Sequence, residues 1–177
     1  MRIRHFLLSS SLFGLLIAGM LLCACSVSSP GSGMDAFWKK GFSAELSGEM
    51  SGVPFTALVR GGIRADGEPE GSVRYLSVGD GKNRGILLCR ERDGTVSVTQ
   101  NDHTARISGE EAEGLLAPLR CLLLSLETPS AVERIPDGNT VFFYPDGGSL
   151  TVSPDGTPVA AGTENVRFRV TRWENDQ

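Results

Sequence analysis

Few residues of this chain are of types that do chemistry, and none stands in a spacing that a reaction needs. Of the two histidines, only His103 lies outside the first 24 residues. It stands beside Asn101-Asp102 and reads as a solvated turn residue, since a lone imidazole without a partner makes neither a base nor a ligand. No Gly-x-Ser-x-Gly elbow, Ser-x-x-Lys, His-Glu-x-x-His, Walker loop or Gly-x-Gly-x-x-Gly occurs. Gly79-Asp80-Gly81-Lys82 has the composition of a phosphate loop. A strand is expected after it, however, so the helix N-terminus that would hold the anion is missing. Glu68/Glu70 and Glu110/Glu111 read as solvated surface, because carboxylate chemistry needs a pair converging across a cleft. Arg90/Arg92 and Arg167/Arg169 read as outward faces of edge strands, where charge discourages association. No Cys/His spacing suits a metal. The expectation is a protein that is not an enzyme and uses no cofactor or metal.

The remaining chemistry lies near the start of the chain. Arg2 and Arg4 precede an apolar run over 6–22, the length of a signal peptide or of a short membrane anchor. Leu22-Cys23-Ala24-Cys25 places a branched residue at −3, a small one at −1 and a cysteine at +1. This resembles the lipobox of bacterial lipoproteins, which implies cleavage after residue 24 and acylation of Cys25. Cys23 fits less well, because Leu22 would occupy the small-residue position. An ordinary secretory leader or an uncleaved anchor is the alternative. Two or more acyl chains on Cys25 would anchor the protein stably.

The mature chain would carry 15 basic and 21 acidic residues, a formal charge of −6. Such a body shows no polybasic run for anionic lipid, so the acyl chains are expected to do the holding. Ser26 to Gly33, SVSSPGSG, reads as a flexible tether, giving 1–24 as signal peptide, 25–36 as tether and 37–177 as one domain. With Cys25 acylated, Cys89 and Cys121 remain, and outside the cytoplasm they could form a disulfide or stay as separate buried thiols.

A composition of 40% hydrophobic, 21% charged and 7% aromatic residues excludes disorder, coiled coil, a polytopic membrane protein and a basic nucleic-acid binder. Positioning falls to strands. From Gly41 the pattern alternates, with Phe42, Ala44, Leu46 and Met50 on one face and Ser43, Glu45, Ser47 and Glu49 on the other. Further strands are expected at 55–59, with Gly61-Gly62 as a break, then at 72–78, 84–90, 95–100, 104–107, 132–135, 140–144, 149–153, 158–161 and 166–173. Six Asp-Gly pairs, at Asp66, Asp80, Asp93, Asp137, Asp146 and Asp155, are hairpin signals. Three of them follow a proline at nine-residue spacing, but the Gly-Gly-x-Gly-x-Asp frame of a calcium-binding solenoid is absent.

One helical stretch interrupts the meander. Ser108-x-x-Glu111 has the form of a capping box. Ala112, Leu115, Leu116, Leu119, Leu122, Leu123 and Leu126 fall on one face, with Cys121 and Leu124 on the far side. Pro118 should kink the helix or split it in two. A helix so rich in leucine should lie across the open face of a sheet.

The lipobox, the tether, the antiparallel strands, the single helical insert and the closing run Leu150-Thr151-Val152-Ser153-Pro154-Asp155-Gly156-Thr157-Pro158, with its last strand ending near Trp173, together resemble the LolA/LolB-like lipoprotein superfamily. In layout they are nearest to the clostridial spore-germination lipoproteins. The resemblance implies a mainly β, α+β fold: an antiparallel meander curved into an incomplete β-barrel, with one kinked helix covering the open face. It implies a lipid-anchored, extracytoplasmic, non-enzymatic docking or accessory module for an envelope or spore-cortex protein. The alternative is a binder of a hydrophobic ligand or lipoprotein acyl chain between sheet and helix. The ligand reading requires an apolar cavity of roughly 300 Å3 or more beneath Leu115, Leu116, Leu119, Leu122, Leu123 and Leu126. The docking reading requires that space to be filled and an apolar patch to be exposed. An incomplete barrel should also leave the first strand unpaired with the last, whereas pairing of Glu45 and Glu49 with Arg167 and Arg169 would mark closure.

Overall fold

A computed structural model describes residues 36–81, 85–91, 93–108 and 110–176, without the side chains of Glu110 and Glu111. The leader, Cys25, the tether up to residue 35, Lys82, Arg92 and the capping side chain of Glu111 lie outside the described residues. Residues 33–177 form a compact unit of their own.

A short helix, α1 (Ala36–Lys40), leads into eleven strands. The first six are β1 (Phe42–Met50), β2 (Val53–Ile63), β3 (Pro69–Val78), β4 (Ile86–Arg90), β5 (Val96–Gln100) and β6 (His103–Ile107). Two helices, α2 (Glu110–Leu115) and α3 (Ala117–Leu123), then run into a 3-10 turn at Leu124–Leu126. The last five strands are β7 (Ala131–Arg134), β8 (Thr140–Phe143), β9 (Ser149–Val152), β10 (Pro158–Gly162) and β11 (Val166–Asn175).

All eleven form one antiparallel sheet in the order β6-β5-β4-β3-β2-β1-β11-β10-β9-β8-β7. It is an open meander, as the alternation and the Asp-Gly turns predict. The turns are built alike. At Asp66, Asp93, Asp137, Asp146 and Asp155, the aspartate side chain accepts the backbone N–H two residues on, and the following glycine takes a φ between 81° and 89°. Glycine alone carries the left-handed backbone there, while the aspartate closes the turn.

The expected rule for closure fails. β1 pairs with β11 along its whole length, with Glu49 opposite Arg167, Ser47 opposite Arg169 and Glu45 opposite Arg172 across a bulge after Glu45. The sheet is open nevertheless, because its free edges are β6 and β7. The first and last strands form its centre, and the gap lies where the helical insert leaves and re-enters the sheet. A second expectation also fails: β2 runs through Gly61-Gly62 to Ile63, pairing Gly61 with Gly71. Here glycine serves close packing, since a Cβ on Gly61 would stand 2.6 Å from the Phe42 ring and 2.7 Å from Trp38.

The inner faces of the strands build one core. Phe42, Ala44 and Leu46 of β1, Phe55, Ala57 and Val59 of β2, Val73 and Tyr75 of β3, and Val166 and Phe168 of β11 are all buried. The period of two read from the sequence is thus the side-chain alternation of a sheet with one wet face.

Candidate functional site

The hollow of the sheet is the place where either expected role would be carried out. α3 spans it, packing on β2 and β3 at one side and on β9, β10 and β11 at the other. Pro118 sits in the first turn of α3, where its missing N–H costs little, and the break falls at Leu116 between the two helices. Leu116, Leu119 and Leu122 are buried, and Leu115 and Leu123 are partly buried against the core.

Three residues depart from the predicted stripe. Cys121 and Leu124, expected on the far side, are buried, and Leu126 is 37% exposed. The reason is twofold. The chain tightens to a 3-10 turn after Leu123, which breaks the 100° periodicity. A helix lying inside a curved sheet also meets protein on both flanks. Glycines on each flank make that fit: a Cβ on Gly71 would reach 2.7 Å from Leu119 Cδ1, and one on Gly148 would reach 2.6 Å from Leu124 Cδ1.

A latch absent from the sequence reading fixes the insert. Trp38 of α1 is fully buried, and its Nε1 donates to Ser125 Oγ at 2.8 Å. Ser125 Oγ in turn donates to the Leu122 carbonyl at 2.7 Å. Phe42 stacks on Trp173 at 4.7 Å with rings 9° apart, and Phe37 and Trp38 meet Phe42 edge-on. On the other side of the insert, Tyr75 Oη donates to the Leu115 carbonyl at 2.8 Å, satisfying an end group of α2. Trp38 and Ser125 are 87 residues apart, and no local pattern links them.

The interior is therefore filled by the chain's own side chains. A cleft of about 400 Å3 does open beside α3, over Ala117, Cys121, Leu123 and Leu124. Arg90, Glu113, Arg120, Glu127 and Asp146 line it too, so it is a charged cleft and differs from the apolar cavity that the ligand reading requires. Leu116, Leu119, Leu122 and Leu124 are themselves buried in the hollow, together with Trp38. Large apolar side chains are exposed at Val132 of β7, at Phe143 of β8 and at Leu126 in the segment leading to β7, and also at Val53 of β2 and Leu76 of β3.

Cys89 and Cys121 are both free thiols. Cys89 follows the inward Leu88 and so faces outward from β4, whereas Cys121 lies within the hollow. Of the two states left open, the cysteines stand as separate thiols, Cys121 buried and Cys89 only half-buried. Burial pushes the Cys121 thiol up to about 12 and raises Cys89 as well. Tyr144 is 3% exposed, and its hydroxyl meets no hydrogen-bond partner among the described residues. Desolvation, then the nearby Glu127 charge, pushes it up to about 12.

His103 is exposed at the start of the edge strand β6, and Arg167 and Arg169 are exposed on the outer face of β11. The two arginines flank a shallow depression of about 790 Å3 floored by small residues such as Ser47, Ser149 and Ala160. A second groove, of about 500 Å3, gathers Lys39, Lys40, Arg60 and Arg90 against two carboxylates, Glu70 and Asp176. The sequence showed no polybasic run; the fold assembles four cations from α1, β2 and β4. No group of acidic, histidine or cysteine side chains suited to a metal occurs among the described residues.

No protein-family model and no curated protein matches the chain. Among solved structures, an uncharacterized conserved protein from Thermus thermophilus has a similar fold, with a TM-score of 0.50 at 11% identity over 81% of this chain and 83% of that one. MucB matches with a TM-score of 0.47 at 14% identity over 81% of this chain and 56% of its own. MucB in the MucA/MucB complex of Pseudomonas aeruginosa gives 0.45 at 15% identity, over 80% and 54%. This chain spans about half the length of those MucB chains. At such identity the likeness to the Thermus protein is one of fold. The open meander with helices in its hollow is the architecture that the LolA/LolB-like resemblance implies.

Proposed function

We propose that this protein is a lipid-anchored, extracytoplasmic docking module, held to a bacterial membrane through acylated Cys25, with no catalytic activity and no cofactor. The observation that carries the docking reading is the filled hollow. Trp38, Leu116, Leu119 and Leu122 occupy the volume that an acyl chain would need. What remains for recognition is surface: among the described residues Leu126, Val132 and Phe143 are exposed on the arm that ends in the free β7 edge, and Val53 of β2 and Leu76 of β3 are exposed elsewhere on the sheet. β7 offers unpaired backbone groups together with Val132, and Phe143 projects from the opposite face of the same edge hairpin. An exposed strand edge with apolar side chains is a template for a partner segment. The likeness in layout to spore-germination lipoproteins makes an envelope or spore-cortex protein the class of partner in question.

Two measurements test the reading. Labelling cells with a palmitate analogue should mark the full chain and leave Cys25→Ala unmarked; equal labelling of both would remove the anchor. A photo-crosslinker at Val132 or Phe143 of the anchored protein should trap one discrete protein adduct, and one at Ser47 should not. Crosslinks to lipid alone from all three positions would overturn the docking role.

A further inference from the structure

We propose that the groove formed by Lys39, Lys40, Arg60 and Arg90 binds the phosphate headgroups of anionic lipids in the membrane that carries the anchor. The groove measures about 500 Å3, with Gly41, Gly61, Gly62 and Gly71 among its lining beside the four basic residues. Even without Lys39, the cations Lys40, Arg60 and Arg90 outnumber the lining carboxylates Glu70 and Asp176, on a body whose mature formal charge is −6. That surplus is placed at the anchored end. Lys39 and Lys40 close the helix by which the chain enters the domain, and only ten residues, 26–35, separate Cys25 from that helix. Ten residues reach at most about 35 Å when fully extended. The anchored reading supplies the direction from which lipid arrives; the groove's chemistry is independent of it. Basic side chains close to an anionic surface each strengthen binding by about fivefold. The groove then orients the domain, holding the end beside α1 against the bilayer.

The test uses residues 33–177, a unit with its own core, and so reads the groove without the acyl chains. Sedimentation with vesicles of phosphatidylcholine, alone or mixed with phosphatidylglycerol, should show binding to the mixture only, weakening as salt is raised. Lys40→Gln with Arg60→Gln should lower the partition coefficient about 25-fold, from about fivefold per side chain. Arg167→Gln with Arg169→Gln, on the outer face of β11, should leave it unchanged. Circular dichroism verifies that each exposed-site variant remains folded. Binding to both vesicle types or to neither, or an equal loss in the Arg167/Arg169 variant, would overturn the proposal. So would displacement by glycerol phosphate at the concentration of the lipid headgroups, which would make the groove a site for soluble phosphate. Palmitate labelling reports on the anchor separately, so failure of the groove and failure of the anchor give different results.

Discussion

Trp38 and Ser125 show how much rests on a single hydrogen bond in this fold. Removing the Ser125 hydroxyl leaves a fully buried indole N–H without an acceptor, which costs about 1–3 kcal/mol. Ser125→Ala should therefore lower the urea midpoint with an unchanged slope. Tyr144 is the opposite case, because its buried hydroxyl already lacks a protein partner among the described residues. Tyr144→Phe should leave the midpoint unchanged or raise it by up to about 1 kcal/mol in stability, since no hydrogen bond is lost. Cys121 gives a pH dependence. Its folded pKa is about 12 against an ordinary 9.0, so the unfolded chain ionises first. The thiol's contribution is complete below pH 9 and declines as pH rises towards 12. Tyr144 adds to the decline from about pH 10. Cys121→Ala should flatten its lower part, as read from chemical denaturation at stepped pH.

At the scale of elements, the helical insert is held by tight contacts rather than by its own propensity. Leu119→Ala should destabilise by about 2–5 kcal/mol, because Leu119 is buried against Gly71 and the sheet gives little scope for collapse. Pro118→Ala should change stability by less than about 1 kcal/mol, because the residue occupies the first turn of α3. All eleven strands were legible in the sequence, since alternation with a period of two and Asp-Gly turns are local signals. That the helix would divide was legible in Pro118, although the break falls two residues earlier, at Leu116. The burial of Cys121 and Leu124 was not. A helical wheel assumes one buried face and one uninterrupted period, and this insert has neither. The Trp38–Ser125 latch and the basic groove join residues far apart in sequence, so only the register of the sheet brings them together.

At the scale of the whole molecule, pairing of the first and last strands moves the opening of the barrel to β6 and β7, with the helices filling the space between the sheet's arms. Hydrogen exchange should therefore find the slowest amides in β1, β2 and β11 and the fastest strand amides in β6 and β7, whose outer edges are unpaired. The central claim is that this hollow is filled from within and that recognition occurs at the surface. Native mass spectrometry of residues 33–177, incubated with a cellular lipid extract and repurified without detergent, tests it most directly. The account predicts the mass of the polypeptide alone; one acyl lipid retained per chain would contradict it.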